Sequence, residues 1–149
     1  MQLKSLLLAT VLPLSLILAA CNSGPSDSVK ARQGDMKNWK DATGVMKDMV
    51  EAPETFDADK FKQEADFLAK DASNPWQYFD DENDTGGAEP TVWSDSEGFK
   101  AAAEQYKQAT LELQAAAQTA TSVEDILPAF SKVGENCKSC HEGFKAPQN

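Results

Sequence analysis

Two cysteines and a histidine near the C-terminus, in the run Cys137-Lys138-Ser139-Cys140-His141, have the types and spacing that most clearly indicate chemistry. C-x-x-C-H is the attachment pattern of c-type haem. Thiols three positions apart lie on nearly one face of a helix, so both can add to the two vinyl groups of one porphyrin. The following imidazole can then bind the iron. The motif predicts one covalent haem c on Cys137 and Cys140, with His141 as the proximal iron ligand.

Three other uses of the cysteine pair fit the sequence less well. A thioredoxin-like C-x-x-C follows a β-strand and opens a helix, whereas this pair falls near the end of a helical stretch. A structural zinc ion needs a fourth ligand, and the one remaining cysteine, Cys21, belongs to a lipobox-like segment near the N-terminus. A disulfide between positions three apart in a helix has poor geometry. The single histidine leaves no second imidazole for bis-histidine ligation.

Residues 1–20 have the layout of a secretory signal peptide: Lys4, an apolar run and small residues before Cys21. The segment Leu18-Ala19-Ala20-Cys21 resembles a bacterial lipobox, which predicts that Cys21 is lipidated and becomes the mature N-terminus. The alternative is an ordinary signal peptide whose cleavage site adjoins a cysteine. Residues 21–28 are polar and rich in Gly, Pro and Ser, as expected of a flexible tether. Asn22, in place of an aspartate, favours the outer membrane over the inner one.

Length and composition limit the chain to one helical domain. It has 149 residues, 41% of them hydrophobic, and is rich in Ala, Lys, Glu, Gln and Asp. The net charge of −10 would repel phosphate backbones, which argues against nucleic-acid binding. No nucleophile and base stand at a spacing that indicates an active site, so we expect a protein that is not an enzyme.

Four stretches with apolar residues at helical spacing predict an antiparallel four-helix bundle over residues 29–149. The first begins at Val29 with Ser28 or Asp27 as cap, and the second follows a cap at Asp57. The third runs from about Ser94 to Ala120, and the fourth begins near a capping box at Ser122. Pro128 could kink the fourth helix or delay its start. A long loop, 74–93, joins the second and third stretches. We expect the core to be formed by these apolar seams: Val29, Met36, Thr43, Val50, Arg32, Trp39 and Met46; Phe61, Ala65, Leu68 and Ala72; Phe99, Ala103, Tyr106, Thr110, Leu113, Ala117 and Ala120; Val123, Ile126 or Leu127, Phe130, Val133, Cys137, Cys140 and Phe144.

With its haem motif close to the C-terminus, the chain resembles the class II c-type cytochromes, and the cytochrome c′ family most of all. The motifs that carry this resemblance are Val29-Lys30-x-Arg32-Gln33, Pro75-Trp76-x-x-Phe79, Trp93-Ser94-Asp95 with Phe99-Lys100, and Gly134-x-x-Cys137-x-x-Cys140-His141-x-x-Phe144-Lys145. The resemblance covers the chain from about residue 28 to residue 145. The resemblance implies a four-helix bundle that is commonly a homodimer and that carries electrons and binds nitric oxide or carbon monoxide.

The resemblance also implies roles for residues around the haem. Met36 falls at a position where the family has an apolar residue that shields a five-coordinate, high-spin iron. A thioether can also ligate haem iron, so the alternative is a six-coordinate, low-spin electron carrier with Met36 as axial ligand. Arg32, beside Gln33, would reach a haem propionate, which relieves the cost of a charge on an apolar seam. The alternative is an arginine that snorkels from the edge of the core.

Three further residues complete the site that the resemblance implies. Trp76 and Phe79 would line the distal side of the haem, although plain core aromatics would follow the same pattern. Lys145 stands where relatives often have an arginine beside the proximal histidine. A lysine keeps the charge but lacks the planar fork.

The sequence therefore predicts a membrane-tethered, periplasm-facing monohaem cytochrome that transfers electrons, binds small gases, or does both. A gas-binding protein without a redox partner and a haem-free structural lipoprotein are the competing hypotheses. Three lysines close to the haem motif could dock an acidic redox partner, or nearby glutamates could neutralise them. The lysines are Lys132, Lys138 and Lys145, and the glutamates are Glu135 and Glu142.

Overall fold

A computed structural model describes residues 24–147 of the chain. The predicted signal peptide, 1–20, and the predicted lipidation site, Cys21, lie outside the described residues. Within them, no helix is both long enough and apolar enough to cross a membrane.

The described chain is helical, and the predicted four-helix bundle is confirmed. Four long helices form it, and a one-turn helix precedes the third of them. In chain order the helices are α1 (Asp27–Glu51), α2 (Ala58–Asp71), α3 (Thr91–Ser94), α4 (Ser96–Ala117) and α5 (Val123–Phe144). Short 3₁₀ turns at Pro53–Thr55 and Pro75–Tyr78 follow α1 and α2. α2 packs against α1 and α4, and α4 packs against α5.

The helix starts follow capping chemistry, with one correction to the predicted caps. Ser26, and neither Ser28 nor Asp27, caps α1, because its hydroxyl accepts a hydrogen bond from the Val29 amide at 3.0 Å. The cap predicted for α2 is confirmed, since Asp57 accepts from the Lys60 amide at 3.0 Å. A hydroxyl or carboxylate at this position satisfies an amide that the helix itself cannot.

The third long helix is shorter at both ends than the sequence predicts. α4 begins at Ser96, because the backbone leaves the helical conformation at Asp95, whose side chain accepts from the Gly98 amide at 3.1 Å. It ends at Ala117 rather than at Ala120.

Helix α5 begins where the sequence places it. The predicted capping box is present between Ser122 and Asp125. Pro128 does not delay the start of the helix, which runs on through it.

The core lies along the predicted seams, except that on α1 Ala42 and Met49 are buried where the sequence predicts Thr43 and Val50. Every residue predicted for the seam of the third helix is buried, from Phe99 to Ala120. On α5, Ile126 is fully buried and Leu127 is 42% exposed, so Ile126 is the core residue of that pair. Thr110 is the polar member of the α4 seam, and its hydroxyl donates to the Lys107 carbonyl at 2.8 Å.

The loop between α2 and α4 is held by the start of α1 and by the end of α5. Its C-terminal part pairs with the end of α5: the Glu89 amide donates to the Phe144 carbonyl and the Ala146 amide to the Gly87 carbonyl, each at 3.0 Å. Gly86 has a positive φ of 49°, and a Cβ there would lie 2.5 Å from the Val29 side chain. Glycine is therefore required where the loop crosses the start of α1.

Candidate haem site

The antiparallel packing of α4 and α5 places the C-x-x-C-H motif beside aromatic residues of α4. The rings of Phe99 and Phe144 contact each other at 5.3 Å between centroids. Two turns into each helix from that pair lie Tyr106 on α4, which is part of the core cluster, and Cys137 on α5, which packs against that cluster. Cys137 and Cys140 are half-buried, and both are free thiols.

Burial sets the protonation of both thiols. It raises the pKa of Cys137 to about 11, with a smaller contribution from the charge of Cys140. It also raises the pKa of Cys140. Both thiols are therefore neutral near pH 7 in this fold, and they lie among apolar groups rather than among metal-binding ones.

His141 follows Cys140 at an exposed position in the last turn of α5. Partial loss of solvation, and then the positive charge of Lys145, lower the pKa of His141. A lowered pKa favours the neutral imidazole, which is the form that ligates iron. Lys145 is exposed, and its backbone pairs with Ala88 in an isolated bridge.

The predicted distal aromatics belong to one cluster that joins α1, α4 and the loop after α2. Trp76 stacks on Phe79 at 6.5 Å and meets the edge of Phe99 at 5.7 Å. The Trp76 indole donates to the Ala72 carbonyl at 2.6 Å, which fixes its ring. The structure thus brings Trp76 and Phe79 together in the region that also holds Tyr106 and Cys137.

Arg32 is buried, at 4% exposure, and the loop supplies its partners. Its guanidinium donates to the Tyr78 carbonyl at 2.5 Å, to the Thr85 carbonyl at 2.6 Å and also to the Asp84 carbonyl. It lies 4.5 Å from the centroid of the Phe79 ring, a cation–π distance. These contacts satisfy the buried charge, so its burial does not require the propionate that the sequence predicts as its partner.

The hydrogen bonds from Arg32 to the three loop carbonyls are here called the clamp. The other two predicted residues of α1, Gln33 and Met36, follow Arg32 along the helix. Gln33 is exposed and donates through Nε2 to the Gly86 carbonyl at 2.8 Å, a second tie between α1 and the loop. Met36 is half-buried and packs against the core beside the aromatic cluster.

Sequence reasoning placed Trp39 and Tyr106 on the seams and assigned neither to the site. In the fold their rings stack at 4.6 Å, and Trp39 also meets Trp76 at 5.9 Å. The hydroxyl of Tyr106 and one carboxylate oxygen of Asp35 are buried without a hydrogen-bond partner. The available signal was a phenol in an otherwise apolar seam, but its proximity to Cys137 depends on how α4 pairs with α5.

Two of the three lysines near the motif form ion pairs. Lys132 contacts Glu112 at 2.6 Å and Lys138 contacts Glu142 at 3.7 Å. Glu142 was an expected partner, whereas Glu112 comes from α4. These pairs support the hypothesis that glutamates neutralise the lysines over that of a positively charged docking surface.

A bundle of four long helices with a C-x-x-C-H motif in the last turns of its final helix defines the class II c-type cytochromes. Residues 27–145 match the family model described as Cytochrome C', and the chain belongs to the cytochrome c′ family. Members of this family bind one covalently attached haem c, and Cys137 and Cys140 fit its motif. The half-buried free thiols and the partnerless Tyr106 hydroxyl beside them are consistent with a site for that group.

Two relatives of this family align with the chain over nearly their whole length. The chain is 31% identical to cytochrome c' from Alcaligenes xylosoxydans xylosoxydans over 121 residues, covering 81% of this chain and 94% of that protein. It is 32% identical to cytochrome c' from Rubrivivax gelatinosus over 124 residues, covering 81% and 95%.

Solved structures agree as well. A nitric oxide complex of a leucine-to-alanine variant of the Alcaligenes xylosoxidans protein matches with a TM-score of 0.77 at 28% identity, covering 85% of this chain and 98% of that one. The Rubrivivax gelatinosus structure matches with a TM-score of 0.74 at 31% identity, covering 81% and 96%.

Proposed function

We propose that this chain is a monohaem cytochrome that binds a small gas, nitric oxide or carbon monoxide, and transfers single electrons, rather than an enzyme. Cys137 and Cys140 would hold haem c, and His141 would be its proximal ligand. The observation that carries this proposal is the position of two half-buried, neutral thiols and a histidine at the end of α5, against an aromatic cluster. Bound haem would supply a redox-active iron with a site for a diatomic ligand.

The residues around this position explain how such a site would exclude water. Trp76 and Phe79 form an apolar wall that the Ala72 carbonyl and Arg32 hold in place. Arg32 and Gln33 fasten the loop over the start of α1, and free donors of Arg32 could also reach a propionate, as the sequence predicts. Lys145 keeps a positive charge beside His141 and thereby favours its neutral form.

Covalent attachment is the most direct test. Purified mature protein should give a pyridine haemochrome spectrum of c-type haem and keep its haem through acidified organic extraction. Changing both Cys137 and Cys140 to alanine should abolish both signals, whereas Cys21→Ser should leave them unchanged. Haem that is extracted from the unmutated protein would contradict the attachment.

For the sixth coordination position, we propose that Met36 covers the iron without ligating it, which leaves a five-coordinate, high-spin centre open to gas. Its half-buried position next to the bulky distal aromatics supports an apolar pocket. The ferric protein near neutral pH should then have a high-spin optical and magnetic spectrum. A low-spin spectrum with a methionine-to-iron charge-transfer band that Met36→Ala removes would instead make Met36 the axial ligand and electron transfer the main role.

Gas binding and electron transfer can be separated experimentally. The matching Alcaligenes structure is a nitric oxide complex, which supports gas binding for this chain. The ion pairs of Lys132 and Lys138 weaken the case for an acidic redox partner. Anaerobic titration with nitric oxide should give a stoichiometric complex. Neutralising Lys132 and Lys138, the two ion-paired lysines, should leave the rate of electron exchange with an acidic partner unchanged at low salt.

We also propose that the protein is lipid-anchored at Cys21 on the periplasmic face of a bacterial membrane, in the outer membrane rather than the inner. Residues 22–25, between Cys21 and the Ser26 cap of α1, would then tether the bundle. One acyl chain gives only marginal membrane binding, on the order of 10⁴ M⁻¹, so stable anchoring needs at least two. Wild type should fractionate with membranes and Cys21→Ser should be soluble. A soluble wild type without acyl mass would contradict the anchor.

We propose that the predicted homodimer forms through a surface between α1 and α2. A shallow depression there is lined by Ala42, Val45 and Phe67, with polar residues at its rim. Val45 is 37% exposed, so its side chain is available for contact with a second copy. Sedimentation of wild type and Val45→Glu should show a dimer that the charge dissociates.

A further inference from the structure

The hydroxyl of Tyr106 differs from the polar groups of the other buried side chains. Tyr106 is 3% exposed, and its hydroxyl has no hydrogen-bond partner. The polar side chains of Arg32 and Thr110 are also buried, and both donate to backbone carbonyls. A buried hydroxyl that gives up its bonds to water without gaining another destabilises the fold. Phenylalanine would fill the same space without that cost. We therefore expect the hydroxyl to gain a hydrogen-bond partner in the functional protein.

The surroundings hold the phenol in one place. Trp39 stacks on its ring at 4.6 Å, and Trp76 meets it edge-on at 6.5 Å. Cys137 packs against the core cluster that contains Tyr106, and Asp71 accepts a hydrogen bond from the Trp39 indole that stacks on the phenol ring. Burial, and then the charges of Cys137 and Asp71, raise the pKa of Tyr106. The hydroxyl is therefore a neutral donor at any physiological pH.

Of these two neighbours, Asp71 already has partners. One carboxylate oxygen accepts from the Trp39 indole at 2.8 Å, and the other accepts from the Asn74 amide. Cys137 is different, because its surroundings change when haem is attached. The thiol then becomes a thioether, a weak acceptor that has no proton to donate.

We propose that Tyr106 is a further positioning residue of the haem site, whose hydroxyl donates a hydrogen bond to an acceptor in the haem-loaded, gas-binding pocket. This inference rests on the proposed function. Two sources could supply that acceptor: the thioether sulfur of Cys137, and the outer atom of a diatomic gas bound to the iron. Either bond would give a pocket of apolar residues a single oriented donor.

The test compares Tyr106→Phe with Tyr78→Phe in the full-length, haem-loaded protein. Tyr78 is the only other tyrosine of the chain and is half-buried, so the control removes the same hydroxyl elsewhere. Haem content is measured first, by pyridine haemochrome. The reduction potential is then measured without gas, and the C–O stretch is measured in the ferrous carbon monoxide complex.

Each source of the acceptor predicts a different result. A bond to bound gas lowers the C–O stretch, so Tyr106→Phe should raise its frequency and leave the gas-free potential unchanged. A bond to the thioether withdraws electron density, so Tyr106→Phe should lower the potential even without gas. Tyr78→Phe should do neither. If the hydroxyl donates to the bound gas, exchange of wild type into D₂O should shift the C–O stretch. This measurement tests the donor even if the variant folds poorly.

Three results would overturn the proposal. The first is a haem-loaded Tyr106→Phe protein whose potential and C–O stretch both match wild type. The second is an equal change in Tyr78→Phe. The third is a Tyr106→Phe effect that disappears in an Asp71→Asn background, since the hydroxyl would then serve Asp71. A wild-type protein without haem would instead refute the proposed function, and this inference with it.

Discussion

The two ends of the bundle are built for different purposes. At the end that holds the α1–α2 and α4–α5 turns, here called the packed end, the core side chains are fully buried and free of polar groups: Met46, Phe61, Leu68, Leu113 and Ile126. At the other end, here called the site end, aromatic rings, a buried cation and half-buried thiols meet: Arg32, Trp39, Phe79, Tyr106 and Cys137. Within the described residues, both partnerless buried polar atoms, on Asp35 and Tyr106, lie at the site end.

This contrast indicates how the fold divides stability from function. Close-packed apolar side chains stabilise the bundle through burial and dispersion, and a change in their volume destabilises it. The site end instead keeps polar groups under-satisfied and holds its loop by hydrogen bonds to Arg32. Such an arrangement lowers the stability of the fold but leaves polar atoms and thiols that can interact with a cofactor.

The largest effect on stability should come from the packed end. Leu113→Ala should lower the free energy of unfolding by about 3 kcal/mol, because a fully buried leucine leaves a cavity that the bundle cannot close. Leu111→Ala, the same change one half-turn away at a side chain that is 50% exposed, should cost far less. Urea unfolding measures both. If Leu113→Ala also altered the haem spectrum, the two ends would not be independent.

A smaller effect should follow from opening the clamp at the site end. Arg32→Lys keeps the charge but loses the fork that reaches three carbonyls, and should lower the free energy of unfolding by about 2 kcal/mol. Hydrogen exchange should speed up selectively in residues 78–86. Gln33→Ala, which removes a single exposed tie, is the matched control. Unchanged exchange in Arg32→Lys would mean that the clamp does not hold the loop.

The smallest effect should come from the cap of α5. Ser122→Ala should lower the free energy of unfolding by about 1 kcal/mol, because an amide in the first turn loses its acceptor. Ser131→Ala, in the middle of the same helix, should be neutral or slightly stabilising. An equal loss in both variants would show that the cap contributes nothing specific.

The same cap also predicts a pH dependence. Hydrogen bonds from the Thr121 amide and hydroxyl and from the Ser122 amide lower the pKa of Asp125 below its usual value of 3.8. A lowered pKa in the folded state gives stability that is present above pH 3.8 and is lost as the pH falls through the folded-state pKa. Asp125→Asn should therefore flatten the acid limb of the unfolding curve. An unchanged acid limb would contradict this role.

Much of the fold could be predicted because helical periodicity is local. The seam from Phe99 to Ala120 and the capping box at Ser122 follow from residues at most a few turns apart, and the structure confirms both. The errors concern single positions where several local choices are close in energy. Ser26, Asp27 and Ser28 can all cap a helix, and in the fold the Ser26 hydroxyl also contacts Asp84 of the distant loop, a contact that no local pattern predicts.

The sequence by itself determined the cofactor class and the bundle, because the C-x-x-C-H motif and the apolar seams are patterns of neighbouring residues. Only the tertiary structure decided what Arg32 contacts, because its carbonyl acceptors lie 46 to 53 residues away on the loop. The tertiary structure likewise decided that Tyr106 lies near Cys137, since that depends on the register of α4 against α5. A side chain's type is written in the sequence, but the free energy of burying its polar atoms depends on partners that packing brings to it.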